Sequence, residues 1–145
     1  DDCASGLANI VPSLLGLAQE AGFATGIVTT TKITHATPAA GYAHSPQRDW
    51  EADADMPAEA IAEGCRDIAR QLIEAPVGQR LDVVLGGGRS AFLPANAADP
   101  EYPTRTGSRK DGRDLIAEWQ RSHPGGTFVW NAAQLASYDP DSGQP

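Results

Sequence analysis

The chain has 145 residues, 41% hydrophobic and 21% charged, with a formal net charge of −8, which fits about one globular domain and excludes disorder throughout. The acidic balance argues against a general nucleic-acid surface, which needs excess Lys and Arg; it is compatible with metal cations, although acidic surfaces more often serve only solubility. No run reaches the ~20 apolar residues of a membrane-spanning helix. Cys3 and Cys65 allow one disulfide in an oxidising compartment or two buried thiols, and are too few for a zinc cluster. The chain opens on Asp1-Asp2-Cys3, with no Met and no charged-then-apolar leader, so we expect no signal peptide here and a processed protein or an excised piece.

Apolar residues at three- and four-residue steps predict a helix over Ser5–Ala21, with Pro12 moving its start toward Val11 and Gly22 stopping it. Phe23–Thr30 reads as a strand. Thr34–Ala43 allows one or two helical turns with Thr37 as N-cap and Pro38 in the first helical position. Ser45–Met56 has no period and reads as a loop. Pro57–Glu74 is predicted as one helix, with Ile61, Ile68, Leu72 and Ile73 on its apolar side and Asp55 as a candidate cap. Pro76-Val77-Gly78 breaks the chain, and Leu81–Leu85 is a strand running into Gly86-Gly87-Gly88-Arg89. A loop over Asn96–Asp111 precedes a helix over Gly112–Gln120 capped by Asp111. Thr127–Trp130 reads as a third strand, and a short helix begins at Gln134 before turn residues from Asp139 to Pro145. Alternating helices and strands favour a parallel sheet flanked by helices.

The stretch Gly26–Trp50, GIVTTTKITHATPAAGYAHSPQRDW, ends a strand in hydroxyls, imidazoles and an arginine. Ligands of open α/β sheets bind at such carboxyl ends. The Thr37 hydroxyl suits Mg²⁺, and the His35 imidazole suits zinc or a metal-bound water. The competing reading makes Thr37 a helix cap and His35 a loop residue. Arg48 can clamp a phosphate bidentately, with Asp49 tuning it; alternatively the two form a surface ion pair worth little. Gly86-Gly87-Gly88-Arg89 lacks the Lys-Ser/Thr of a P-loop and the spacing of a dinucleotide fingerprint, so a tight turn is expected. No Gly-x-Ser-x-Gly, His-x-x-x-His or Cys-x-x-Cys is present.

The same stretch, followed in order by MPAEAIAEGCRDIARQL, LDVVLGGGR, DPEYP, DGRDLIAEW and FVWN, strongly resembles the alkaline phosphatase family, in the branch that includes the animal enzymes. The resemblance covers Cys3 to Leu135. It implies an α/β fold: part of a mostly parallel sheet flanked by helices on both faces, with residues 1–135 an internal portion of one domain and 136–145 a truncated loop or tail. It implies hydrolysis of phosphate monoesters through a phosphoserine, with two Zn²⁺ and one Mg²⁺ in the intact enzyme. Thr37 matches the magnesium ligand. His35 matches the position beside that magnesium, acting through metal-bound water. Arg48 matches the arginine that grips the substrate phosphate, with Asp49 and His44 in support. Glu101 matches a glutamate of an additional Ca²⁺ site, Trp130 a tryptophan near it, and Cys3 and Cys65 a disulfide pair. A homodimer and a periplasmic, extracellular or cell-surface location are implied for the intact enzyme.

The family's serine nucleophile, its zinc ligands and the glutamate completing its magnesium site match no residue here, and Ser5 lacks the nucleophile's Asp-Ser-Ala context. The expectation is an internal fragment, inactive alone. One alternative is a non-catalytic α/β binding module of the same ancestry. A nucleotide-binding domain using Gly86–Gly88 is another, with less support.

Overall fold

A computed structural model describes residues 2–140 of the chain. The expected helix over Ser5–Ala21 is two, α1 (Cys3–Ala8) and α2 (Leu14–Glu20). Pro12 lacks an N–H and pushes the residue before it out of the helical region. Ser13 restarts the helix, its hydroxyl accepting from Gly16 N at 3.1 Å. After Gly22 the chain enters strand β1 (Gly26–Lys32).

A crossover follows. It comprises α3 (Ala36–Ala39), a 3₁₀ turn at Asp53–Asp55, α4 (Ala58–Ala62), α5 (Ile68–Glu74) and α6 (Pro76–Gln79). It returns the chain to β2 (Val83–Gly87), which pairs with β1 in parallel, Gly26 opposite Val83, Val28 opposite Leu85 and Lys32 opposite Gly87. A second 3₁₀ turn, Arg89–Phe92, and helices α7 (Leu115–Ser122) and α8 (Ala132–Ser137) complete the described chain. The architecture is α/β with a parallel sheet, as expected, but with two strands among the described residues.

Several elements differ from the sequence reading for identifiable reasons. The helix expected over Pro57–Glu74 is split into α4 and α5: Gly64 has φ +94°, and Cys65 leaves the helix to bond Cys3. Asp55 does not cap it; its Oδ2 accepts from Ala52 N at 3.0 Å. Pro76 opens α6 rather than ending regular structure. Helix α7 starts at Leu115 with Asp114 as its cap, accepting from Ala117 N at 2.9 Å, because Asp111 is engaged by Arg109. Thr127–Trp130 is not a strand. Trp130 N donates to Gln134 Oε1 at 2.8 Å, and the Phe128 and Trp130 rings lie 6.0 Å apart. Of the expected tail 136–145, α8 occupies the start and residues 141–145 lie outside the described residues.

The main core lies on one side of the sheet. Ile68, Ala69, Leu72 and Ile73 of α5 pack with Ile33, Ala39, Tyr42, Ala52, Phe92 and Leu115, and Ile27 of β1 contributes from the strand. A smaller cluster of Cys3, Trp50, Met56, Ala60 and Cys65 surrounds the disulfide. The opposite face of the sheet is bare: Val28 is 73% exposed and Val83 48%, and register places them on one face.

One buried cation ties the loops to α5. The Arg109 guanidinium is fully buried and pairs bidentately with Asp67, Nη1–Oδ1 and Nη2–Oδ2 both 3.0 Å. It also reaches Asp111 and the Ala91 carbonyl. Asp67 simultaneously caps α5, accepting from Arg70 N at 2.8 Å. Asp53 accepts from Lys110 N and Asp111 N beside this pair, at 3.0 and 2.8 Å.

Reducing the Cys3–Cys65 bridge, which closes a separation of 62 residues, is expected to cost about 4 kcal/mol in the chain-entropy picture. Urea unfolding with and without dithiothreitol measures it, and an unchanged midpoint would contradict the expectation. Arg109→Met strands the buried Asp67 carboxylate and should cost ~3–5 kcal/mol. Adding Asp67→Asn, which keeps a capping oxygen, should recover part of that loss in the same assay; purely additive losses would show that the pair is not coupled.

Candidate functional site

The candidate site is built where β1 ends. Ile33 N still donates to Gly87 O at 2.9 Å, so the backbone stays paired with β2 up to the turn. His35 N then donates to Lys32 O at 3.0 Å, and His35 becomes the N-cap residue of α3 with extended backbone, φ −66° and ψ 152°. Its imidazole makes no capping bond. Thr37 lies inside α3, one residue past its start, and is exposed. The alternative in which Thr37 serves as the helix cap is therefore not what the chain adopts.

Arg48 sits in the irregular loop between α3 and the 3₁₀ turn at Asp53, with its side chain 61% exposed. Its contact with Asp49 is long, Nε to Oδ1 3.9 Å, and the Asp49 side chain is 90% exposed. Such a pair holds the guanidinium weakly. The loop backbone, by contrast, is fastened to α5. Ile68 N donates to Trp50 O at 2.9 Å and Ala69 N to Glu51 O at 3.1 Å. His44 contributes backbone here, not its imidazole: its N–H donates to Gln71 Oε1 at 2.8 Å.

Glu51 joins the loop to the strand end. Its Oε2 accepts from the Thr34 hydroxyl at 2.6 Å, and its Oε1 pairs with Lys32 Nζ at 2.9 Å. Burial pushes the Glu51 carboxyl upward, but the hydrogen bonds from Thr34 and Lys32 outweigh it and hold the group below the usual glutamate range. A carboxylate ionised at neutral pH thus bridges the residues leading into His35 and the loop that presents Arg48. Sequence reasoning passed over Glu51, which looked like one acid among several in an aperiodic loop. Gln71 was missed for a similar reason: an amide on a helix carries no local signature of a partner 27 residues away.

Glu101 lies in a different cluster. Arg89, leaving β2 through Gly88 at φ +89°, grips Asp99 bidentately, Nε–Oδ2 2.8 Å and Nη2–Oδ1 2.7 Å, and its Nη2 also reaches Glu101 Oε2 at 3.0 Å. The Arg89 hydrogen bonds, aided by the Glu101 and Tyr102 N–H groups and opposed by burial, hold the Asp99 carboxyl well below the usual carboxylate range. Gly86-Gly87-Gly88-Arg89 is accordingly a strand-to-turn junction whose arginine is occupied by acids.

No group of three or more His, Cys, Asp or Glu side chains among the described residues could hold a metal ion. Thr37 offers one oxygen, and one Glu101 oxygen is already paired with Arg89. Magnesium is octahedral, and calcium takes about six to eight oxygens, so these residues do not by themselves fit either ion.

The alkaline phosphatase family model matches residues 4–144. Among curated proteins, the chain is 48% identical over 137 residues to an alkaline phosphatase of Gadus morhua, covering 91% of this chain and 28% of that protein. It is 45% identical over 141 residues to the tissue-nonspecific alkaline phosphatase of Gallus gallus, and 44% identical over 144 residues to that of Homo sapiens. These two matches cover 93% and 95% of this chain and 27% of each relative, so the chain spans little more than a quarter of the length of such proteins. With its α/β core and the motif-bearing stretch from Gly26 to Trp50 in family order, the chain belongs to the alkaline phosphatase family.

Proposed function

We propose that the chain is the magnesium-side and phosphate-clamp portion of a metal-dependent phosphate-monoester hydrolase, corresponding to an internal portion, residues 1–135, of one alkaline phosphatase domain. Arg48 grips the substrate phosphate, and Thr37 would supply one oxygen to a bound magnesium. His35 would act on that ion through water, and Glu101 would contribute to a calcium site. The serine nucleophile, the zinc ligands and the remaining magnesium and calcium ligands lie outside these residues. Bound metals would supply charge stabilisation for the in-line displacement; the chain's own part is to hold and orient phosphate.

The observation that carries the reading is the presentation of Arg48. Its guanidinium is exposed and weakly paired, while its loop is fastened by backbone bonds to α5 and by Glu51 to the strand end. Arg109 and Arg89, which serve the fold, are engaged differently, with bidentate carboxylate partners and little exposure. The bare Val28–Val83 face gives independent support for a portion of a larger domain, because parallel sheets normally have both faces covered. The Cys3–Cys65 bridge agrees with an oxidising compartment, and we place the intact enzyme in the periplasm, outside the cell or at its surface, as a homodimer. A non-catalytic module of the same ancestry is the second reading, favoured by the lack of a residue matching the family's serine nucleophile. An adjoining reading frame with Asp-Ser-Ala upstream and Asp/His ligands downstream decides for the enzyme.

The purified chain alone should show no zinc-dependent turnover of a phosphomonoester such as p-nitrophenyl phosphate; robust turnover would overturn the assignment of nucleophile and zinc ligands to other residues. In a full-length phosphatase carrying this segment, Arg48→Ala should weaken inhibition by inorganic phosphate by ~2–3 kcal/mol, the loss of a charge-assisted contact. An unchanged inhibition constant rejects Arg48 as the clamp.

A further inference from the structure

Among the described residues, Arg48 has no ion pair closer than the 3.9 Å contact to Asp49, so its aim depends on where the backbone from His44 to Glu51 is held. Helix α5 holds that backbone at both ends. At the far end the bonds are main chain to main chain, Ile68 N to Trp50 O and Ala69 N to Glu51 O. At the near end they come from one side chain. Gln71 Oε1 accepts from His44 N at 2.8 Å, and Gln71 Nε2 donates to His44 O at 3.1 Å and to Arg66 O at 2.9 Å. The amide therefore reads both polar groups of a single peptide residue, as a neighbouring β-strand would.

Gln71 is 8% exposed and lies between Ile68, Ala69, Leu72 and Ile73, which are core. A buried amide is costly unless its hydrogen bonds are made, and here its oxygen and both nitrogen hydrogens go to backbone. A leucine would meet the packing demand of that helix position as well. What only the amide provides is the register of the loop start against α5. Within the loop, Ser45 Oγ donates to Gln47 O at 2.7 Å, which carries the constraint toward Arg48.

We propose that Gln71 is a positioning residue for phosphate binding: it sets the placement of the Arg48 guanidinium by clamping the His44 backbone, while touching neither substrate nor metal. This rests on the reading of Arg48 as the phosphate clamp. A misplacement of about 1 Å at a reacting group can cost about a hundredfold in rate, so loss of the clamp has a measurable signature.

The test is a double-mutant cycle in a full-length phosphatase carrying this segment, with the inhibition constant of inorganic phosphate and kcat/KM for p-nitrophenyl phosphate as readouts. Gln71→Met keeps length and volume and removes all three bonds. It should weaken phosphate inhibition about 10- to 100-fold when Arg48 is present and have little further effect on the Arg48→Ala background. Equal losses on both backgrounds, accompanied by a lowered Tm, mean that Gln71 is merely structural and overturn the inference, as does unchanged inhibition in Gln71→Met. If Arg48→Ala itself leaves inhibition unchanged, the clamp reading fails and the inference falls with it. Gln71→Glu retains an acceptor for His44 N–H but sets a carboxylate against the His44 and Arg66 carbonyls, and it runs the same cycle, with the same outcomes, if the methionine variant does not fold. All four proteins of a cycle are compared at a temperature where circular dichroism shows them folded.

Discussion

The Arg109 guanidinium, buried against Asp67, is the contact on which the arrangement of loops depends. Four segments far apart in sequence converge there: the 3₁₀ turn at Asp53–Asp55, the start of α5 at Asp67, the turn at Ala91, and the segment leading into α7. Desolvating an arginine costs several kcal/mol, and it is tolerated here because two carboxylates and a carbonyl are aimed at it. The pair is not efficient stabilisation by area. Its consequence is geometric. Asp67 cannot both cap α5 and face Arg109 unless the helix starts at one place, and that start is where Ile68 N and Ala69 N meet the loop carrying Arg48.

Helix α5 is thus the frame of the site, although it carries none of its predicted chemistry. One side of it is core, through Leu72 and Ile73. Gln71 and the first N–H groups face the loop, and Glu74 anchors an outer network with Arg66, Arg70 and Arg113. The disulfide ends two residues before Asp67 and pins the approach to the helix. Three kinds of constraint, covalent, ionic and apolar, therefore bear on seven residues, while among the described residues the exposed Arg48 side chain has just the long Asp49 contact.

What could be read from the sequence follows the range of the interactions. Strand β1, helix α3 and the final short helix were visible because apolar spacing and prolines act within a few residues, whereas the caps expected at Thr37, Asp55 and Asp111 are not the ones the chain uses. The break between α4 and α5 was hidden because Ile61 and Ile68 are seven apart, a spacing that also suits one continuous helix; Gly64 and the Cys65 bond decide otherwise. Asp111 looked like a cap for α7 and is diverted by Arg109. Thr127–Trp130 has strand-like residues but no neighbouring strand among the described ones, and propensity without a partner does not make a strand. At the site, Thr37, His35 and Arg48 stood out through a motif, whereas Glu51 and Gln71 act on partners 17 and 27 residues away, which no local pattern encodes.

The contrast among the arginines bears on function more than any of them alone. Arg89, Arg109 and Arg113 each spend their donors on two acids. Their charge is cancelled locally, so they cannot also attract an anion strongly. Arg48 has one exposed acid at 3.9 Å, but Arg80, Arg105 and Arg121 show no ion pair among the described residues, so weak pairing alone does not single out Arg48. Its loop is nevertheless held by side-chain and main-chain bonds from a helix that the buried ion pair fixes. Holding a loop this firmly while leaving its cation unneutralised makes sense if an external anion completes the pairing, and phosphate, with oxygens matched to a guanidinium fork, is the anion that this chain's family acts upon.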